Sequence, residues 1–340
     1  MDSESVSLGA IDVCPMEWYN QPRPTERGLP MTLVVGASGK LGRAVVRRLV
    51  REGKPVRAMS RRPDERLRDL KQDGVEITAG DLRDQDSLAR ACSGVSRVIA
   101  SAHSIIGRGA ERSALVDDEG HRSLIDAAKA AGVGHFIYVS ALGASAEHPA
   151  AFFRYKFAVE EYLRSSGVPY SIIRPTAFAE THAYELLGKS ILEKGKASIL
   201  GSGTGRRNFV VVGDVADLIL LVCDDPSAVG QTIEIGGPPE NNLTNNEVVT
   251  MFESAAGRTA KVMHAPRGML RVMSAVLRPL HPGLSQVMAS SLHDDLNDAA
   301  FDASKLLERY ALELTTLEEW IGRTVTGGAS PTNRTDPAPD

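Results

Sequence analysis

The chain has 340 residues, 42% of them hydrophobic and 24% charged, with a formal net charge of −4. That composition describes an ordinary globular protein of one large domain or two modest ones. It gives no general attraction to nucleic acid or to anionic membranes, while leaving room for a local basic patch. Three separated cysteines (Cys14, Cys92, Cys223) with no C-x-x-C pair point to a reducing cytoplasm without disulfides or zinc, and no apolar stretch reaches transmembrane length.

Residues 1–30 show no period and are rich in Pro, Ser and Glu, as expected of a disordered extension. Asp2 and Glu4 stand where a signal peptide would carry basic residues, and Met31 is a second candidate for the true start. Order begins at Thr32 to Val35, a β-branched, apolar run suited to a buried parallel strand. Gly36-x-x-Gly39-x-x-Gly42 follows at once, and then Leu41, Val45, Val46, Leu49 and Val50 recur at helical spacing. Pro55 to Met59 reads as a second strand. Strand, glycine turn, helix and strand in this order make a dinucleotide site. Gly36 turns the chain, Gly39 lets backbone approach a pyrophosphate, and Gly42 lets the helix pack close. The helix N-terminus offers unpaired N–H groups to the phosphates.

The second strand ends in Ser60-Arg61-Arg62 and brings no carboxylate before Asp64. An NAD site places an acid there for the ribose diol, whereas two guanidinium groups suit a 2′-phosphate. NADP(H) is therefore expected over NAD(H).

Downstream, Asp64 to Asp73 reads as a helix, Val75 to Thr78 as a strand, Ser87 to Cys92 as a helix and Val98 to Ala100 as a strand. Ser101 to Val116 has no clear period and reads as a loop able to close over a ligand. Asp117 or Asp118 is a candidate cap for a helix running to Ala131. Phe136 to Val139 is a fifth strand, Phe152 to Ser166 an amphipathic helix and Tyr170 to Ile173 a sixth strand. This cadence predicts an α/β fold, a doubly wound parallel sheet of Rossmann type over about 31–175, with returning pieces near 209–236. A smaller mixed α/β region over 176–325 is expected to form the substrate side, followed by a solvated tail over 326–340.

In that second half, Ala183 to Lys194 reads as helical, Phe209 to Val212 as a strand, Asp214 to Cys223 as a helix and Thr232 to Ile235 as a strand. Asp214 and Asp217 read as a cap and a first-turn acid. Thr244-x-x-Glu247 and Thr316-x-x-Glu319 are capping signals for later helices. Between them, Met269, Leu270, Val272, Met273, Val276, Leu277, Val287 and Met288 form an apolar, methionine-bearing stretch. It is expected to be core, with a substrate wall or a membrane or partner contact as alternatives. Glu160 and Glu161 read as a solvated helix face. His103, His121, His148 and His182 lack metal-ligand spacing, and no metal is expected; His103 and His182 fall near the predicted crevice.

Taken together, Gly36-x-x-Gly39-x-x-Gly42, Arg61, Gly80-Asp81-Leu82, Tyr138-Val-Ser140-Ala141 and Ile173-Arg174-Pro175-Thr176 make the chain resemble an atypical short-chain dehydrogenase/reductase of the NmrA-like and isoflavone-reductase-like group. The resemblance implies that Ser38, Gly39, Lys40 and Leu41 lie on the pyrophosphate and Arg61 by the adenosine ribose. It implies that Asp81 and Leu82 flank the adenine, that Ala100, Ser101 and Ala102 border the nicotinamide-side ribose, and that Pro175, Thr176 and Phe178 line the nicotinamide pocket. Short-chain dehydrogenases generally carry Tyr-x-x-x-Lys after the fifth strand, but here Phe152 holds the tyrosine position and Lys156 remains. Tyr155 does not substitute, because a neighbour one residue away points about 100° around the helix.

Two functions follow from that half-present signature. In the first, the chain is an NADPH-dependent reductase of a small, hydrophobic, quinone- or enone-like acceptor, with Lys156 as acid/base or ribose ligand and Ser140 on the substrate. In the second, it is a non-catalytic NADP(H)-binding sensor, regulator or assembly factor. A monomer or homodimer without nucleic-acid partners is expected in either case.

Overall fold

The computed structural model describes residues 30–326, so the expectations for 1–29 and 327–340, including Cys14 and the choice of start, lie outside the described residues. Its strands are β1 (Thr32–Val35), β2 (Val56–Ser60), β3 (Glu76–Ala79), β4 (Arg97–Ala100), β5 (His135–Val139) and β6 (Tyr170–Pro175). They continue with β7 (Ala177–Phe178), β8 (Lys196–Leu200), β9 (Arg206–Val210), β10 (Gln231–Ile235), β11 (Asn242–Thr244) and β12 (Lys261–Ala265). Seven of them form one parallel sheet in the order β10-β6-β5-β4-β1-β2-β3. The chain winds from β1 outward to β3, then crosses to β4 and winds the other way. The carboxyl ends of β1 and β4, side by side in register Val35↔Ala100, mark the switch point where such sheets bind ligands.

Alternation along each strand feeds two cores. On β1, Val34 packs with Val45, Val46 and Leu49 of the helix Lys40–Arg51 and with the helix Val212–Asp224 on one face. Leu33 and Val35 pack on the other face, against the helices Gln85–Cys92, Gly120–Ala130 and Ala151–Ser166. A third core gathers Ala183, Leu187, Ile199, Phe209, Phe252 and Trp320 around the shorter sheets β11-β9-β7 and β12-β8.

Several expectations needed revision. The helix expected over Asp64 to Asp73 is two short pieces, Pro63–Arg66 and Arg68–Gln72, broken at Leu67, which is buried in the first core. Asp117 does not cap the following helix. It lies inside a π-helical turn, Ala114–Glu119, that runs straight into Gly120–Ala130, and its buried carboxylate accepts the Ser104 amide at 3.0 Å and the Ser113 hydroxyl. Another π-helical segment, Ala179–Gly188, precedes the short helix Lys189–Lys194, and β8 follows where sequence periodicity gave no strand. Asp214 sits in the third position of its helix and accepts the Thr315 amide and hydroxyl, while Asp217 pairs with Arg48. The Thr244–Glu247 capping box is present in full, and Thr316 accepts the Glu319 amide.

Candidate dinucleotide and acceptor site

The glycine turn has the geometry its spacing implies. Gly36 has φ 86°, and a Cβ on it would stand 2.8 Å from the Ala102 nitrogen, so the first and fourth strand ends close on each other there. A Cβ on Gly42 would stand 2.3 Å from the Gly36 carbonyl oxygen; only glycine lets the helix come this near. Gly39 is different. It is exposed, and a Cβ there would meet only the Gly36 oxygen, at 3.3 Å. The first turn of the helix Lys40–Arg51 carries no acid, and its N-cap makes no side-chain hydrogen bond, so its amides stay available to an anion. Ser38 is half-buried beside them, whereas the Leu41 side chain is buried in the core and offers only its backbone. These features fit a dinucleotide pyrophosphate.

Lys40 forms an ion pair with Glu185 at 2.6 Å, which links the glycine turn to the π-helical segment Ala179–Gly188. Arg61 follows β2 and pairs with Glu111 at 2.5 Å, tying the strand end to the 101–113 loop. Its side chain is still 49% exposed. Arg62 is exposed, with its amide 3.4 Å from the Ser60 hydroxyl. Asp81 follows β3 and takes the Arg83 guanidinium at 2.9 Å, which holds its carboxyl below the usual carboxylate range. Leu82 is buried against Gly120, and Ala100 is fully buried in the sheet. Ser101 donates to the Val35 carbonyl at 2.9 Å, so its hydroxyl bridges the switch point.

The ends of β5 and β6 hold the chemistry. Lys156 is buried on the helix Ala151–Ser166, its Nζ donating to the Val139 carbonyl at 2.9 Å. The Nζ lies 4.9 Å from the centre of the Tyr138 ring and 5.5 Å from that of Phe152, so an aromatic floor and wall enclose the amine. Burial pushes its pKa down from 10.5, opposed by the charges of Asp117 and Glu160. Burial pushes the Asp117 carboxyl up, opposed by Lys156 and by the Ser113 hydroxyl. His121 is buried beside Tyr138, their rings 5.3 Å apart, and its Nδ1 lies 2.8 Å from the Val116 carbonyl. Burial and Lys156 lower this imidazole's pKa to about 3, so it stays neutral.

Ser140 donates to Glu160, and Glu160 is not the solvated residue expected of it. Its carboxylate is fully buried and receives Arg174 from β6 through two bonds, at 2.9 and 2.6 Å, and Arg164 at 3.1 Å. A bidentate guanidinium from the neighbouring strand is what allows the charge to be buried. Periodicity alone hides this group. The signal available was Glu160 one turn beyond Lys156, on the same helix face.

Pro175 is buried at the end of β6, and Thr176 donates to the Asn208 side chain at 3.1 Å. Phe178 packs at the edge of the first core. Beyond these, the π-helical segment presents His182, which lines a cleft of about 130 Å³ with Leu186, Leu200, Arg207, Asn245 and Asp294. Burial and the Arg207 charge lower the His182 pKa to about 3. His103 stands over Phe152, ring centres 6.3 Å apart, on the same side of the sheet ends. The structure thus gathers the glycine turn, Ser101, Ser140 and Lys156 at the carboxyl ends of the strands. Leu41, Leu82 and Ala100 can contribute backbone only, since their side chains face the cores.

Comparison with known proteins agrees with this architecture. The chain is 29% identical over 231 residues to an NAD(P)H azoreductase of Xenophilus azovorans, covering 68% of this chain and 76% of that one. It is 26% identical over 297 residues to the Photosystem II assembly factor Ycf39 of Trieres chinensis, covering 85% and 91%. Among solved structures, the NADPH-dependent quinone oxidoreductase QOR2 of Escherichia coli, complexed with NADPH, superposes with a TM-score of 0.69 at 23% identity, over 86% of this chain and 99% of that one. The NmrA-like family model matches residues 31–321, so the chain belongs to the NmrA-like family.

Proposed function

We propose that the chain is an NADP(H)-dependent reductase of small hydrophobic acceptors of the quinone or enone type. The observation that carries this reading is Lys156. Its buried amine at the end of β5 has a lowered pKa, Asp117 lies within electrostatic reach, and Phe152 stands in place of a phenol. A site with an ammonium but no tyrosine at that position suits acceptors whose ring or conjugated carbon is already electrophilic. NADPH, when bound, supplies the hydride. The helix amides of Lys40 and Leu41 and the Lys40 side chain hold the phosphates, and Arg61 with Arg62 favours a 2′-phosphate. Lys156 holds a proton at Nζ and delivers it to the acceptor oxygen, and the depressed pKa makes that release easier. Tyr138, His121 and Phe152 exclude water around the amine, and the cleft beside His182 and Leu186 receives the apolar acceptor. The azoreductase and quinone oxidoreductase relatives support the same class of reaction.

A second reading rests on the same Phe152 and on the resemblance to an assembly factor: a chain that binds NADPH without turning it over. NADPH oxidation across a panel of quinones and enones separates the two. Turnover that falls about 100-fold or more in Lys156→Ala, with NADPH affinity kept within a few-fold, is the result expected of the reductase. Tight NADPH binding with no turnover on any acceptor would instead favour the sensor.

A further inference from the structure

We propose that the helix Arg267–Leu280 is a docking face for an anionic lipid bilayer. Met269, Val272, Met273, Val276 and Leu280 recur at spacings of three and four and fall within an arc of about 100°. Such a stripe normally faces a core. Here the hairpin partner Pro282–Leu296 takes the other side of the helix, where Leu270 is buried and the Ser274 carbonyl accepts the Ser285 hydroxyl. The stripe is left in solvent, with Val272 62%, Val276 57% and Leu280 70% exposed.

The charge of the segment selects the occupant. Between Glu253 and Asp294 the chain carries five Lys/Arg residues and no Asp or Glu, although the whole chain has a net charge of −4. Arg267 is held by Asp295, and Arg258 by the carbonyls of Ile191 and Leu192. Lys261, Arg271 and Arg278 are exposed and make no ion pair with any described residue. An apolar stripe backed by arginines on the polar side is the composition of a helix that lies in the plane of an anionic interface. A protein groove would satisfy the apolar stripe but gives no reason for 40 residues without an acid. No helix among the described residues is long and apolar enough to cross a membrane, so contact would be peripheral. The hairpin is also fastened to the loop beside the crevice. Gly283 packs on the Ile106 backbone, Gln286 donates to the Ile105 carbonyl, and Ile106 is itself exposed.

The test is sedimentation of the full chain with phosphatidylcholine vesicles, with and without phosphatidylglycerol. Binding should be roughly tenfold or more tighter with the anionic lipid and should weaken as salt is raised. Val272→Asp/Val276→Asp should abolish it, and Arg271→Gln/Arg278→Gln should remove the preference for anionic lipid. All four positions are exposed, so unchanged thermal melting is the control for folding. Absence of vesicle binding, or binding the aspartate pair leaves intact, overturns the proposal. So does concentration-dependent dimerisation that the aspartate pair abolishes, because a second copy then covers the stripe. Vesicle binding is read without turnover, so its outcome is separate from the reductase reading.

Discussion

At the scale of single residues, one helix face carries two different buried charges. Lys156 donates a hydrogen bond to the Val139 carbonyl at the carboxyl end of β5, and Glu160, one turn on, anchors Ser140 and Arg174. If Lys156 is the acid, it is competent only while protonated, so quinone turnover should fall on the alkaline side, with a midpoint below the amine's ordinary 10.5. Lys156→Ala should remove that alkaline limb along with most of the rate. Persistence of the limb in the variant would assign it to another group. Glu160→Gln should destabilise the fold by about 3 kcal/mol in urea unfolding, the low end for a broken buried pair, because Arg164 and Arg174 retain some water. A loss below about 1 kcal/mol would mark the pair as no stronger than one on the surface.

At the scale of elements, Gly42 and Gly39 of the glycine turn sit in different surroundings, one pressed against backbone and the other open. Gly42 serves the fold: a Cβ would press on the Gly36 carbonyl at 2.3 Å, and Gly42→Ala should lower the melting temperature and NADPH affinity together. Gly39 is constrained far less by packing, since a Cβ there meets one backbone oxygen at 3.3 Å and otherwise open space, and the proposed role for it is toward the dinucleotide. Gly39→Ala should therefore melt within a degree or two of the parent while binding NADPH about tenfold or more weakly in calorimetry. Equal loss of stability in both variants would refute the distinction. The apolar stretch from Met269 to Met288 is expected to be core, yet the helix Arg267–Leu280 within it leaves Val272, Val276 and Leu280 in solvent. An amphipathic pattern states that one face is apolar, not that anything packs against it.

For the whole molecule, Glu180 couples the two halves. It lies in the first turn of the π-helical segment Ala179–Gly188, is buried, and accepts the Val212 amide at 3.0 Å, at the start of a helix that packs on the large sheet. Burial raises its pKa to about 7 from 4.5, against the pull of Lys40. A carboxyl raised in the folded state favours folding while protonated. Its contribution is complete below pH ~4.5 and is lost as pH rises through ~7. Glu180→Gln keeps an oxygen for the Val212 amide and should flatten the fall in stability over that window, raising stability at pH 8 by up to roughly 3 kcal/mol. A melting-temperature series against pH that is identical for parent and variant would exclude this coupling.

What the sequence determined by itself was what short-range spacing encodes. The strand–glycine–helix unit, the alternating cadence that builds a parallel sheet, the Thr244 capping box and the presence of Lys156 without its tyrosine all reside in stretches of a few residues. Their geometry follows from backbone dihedrals and from periods of two and 3.6. The tertiary structure decided everything that joins residues distant in the chain. It buried Glu160 by bringing Arg174 from the next strand, drew Asp117 under the 101–113 loop through Ser104, and paired Arg61 with Glu111. It also left the Val272–Val276 stripe in water by turning the hairpin's other side inward. Whether a charge is solvated or paired, and whether an apolar face is core or surface, depends on the partner's position in space, and the residue's own neighbours in sequence carry no record of it.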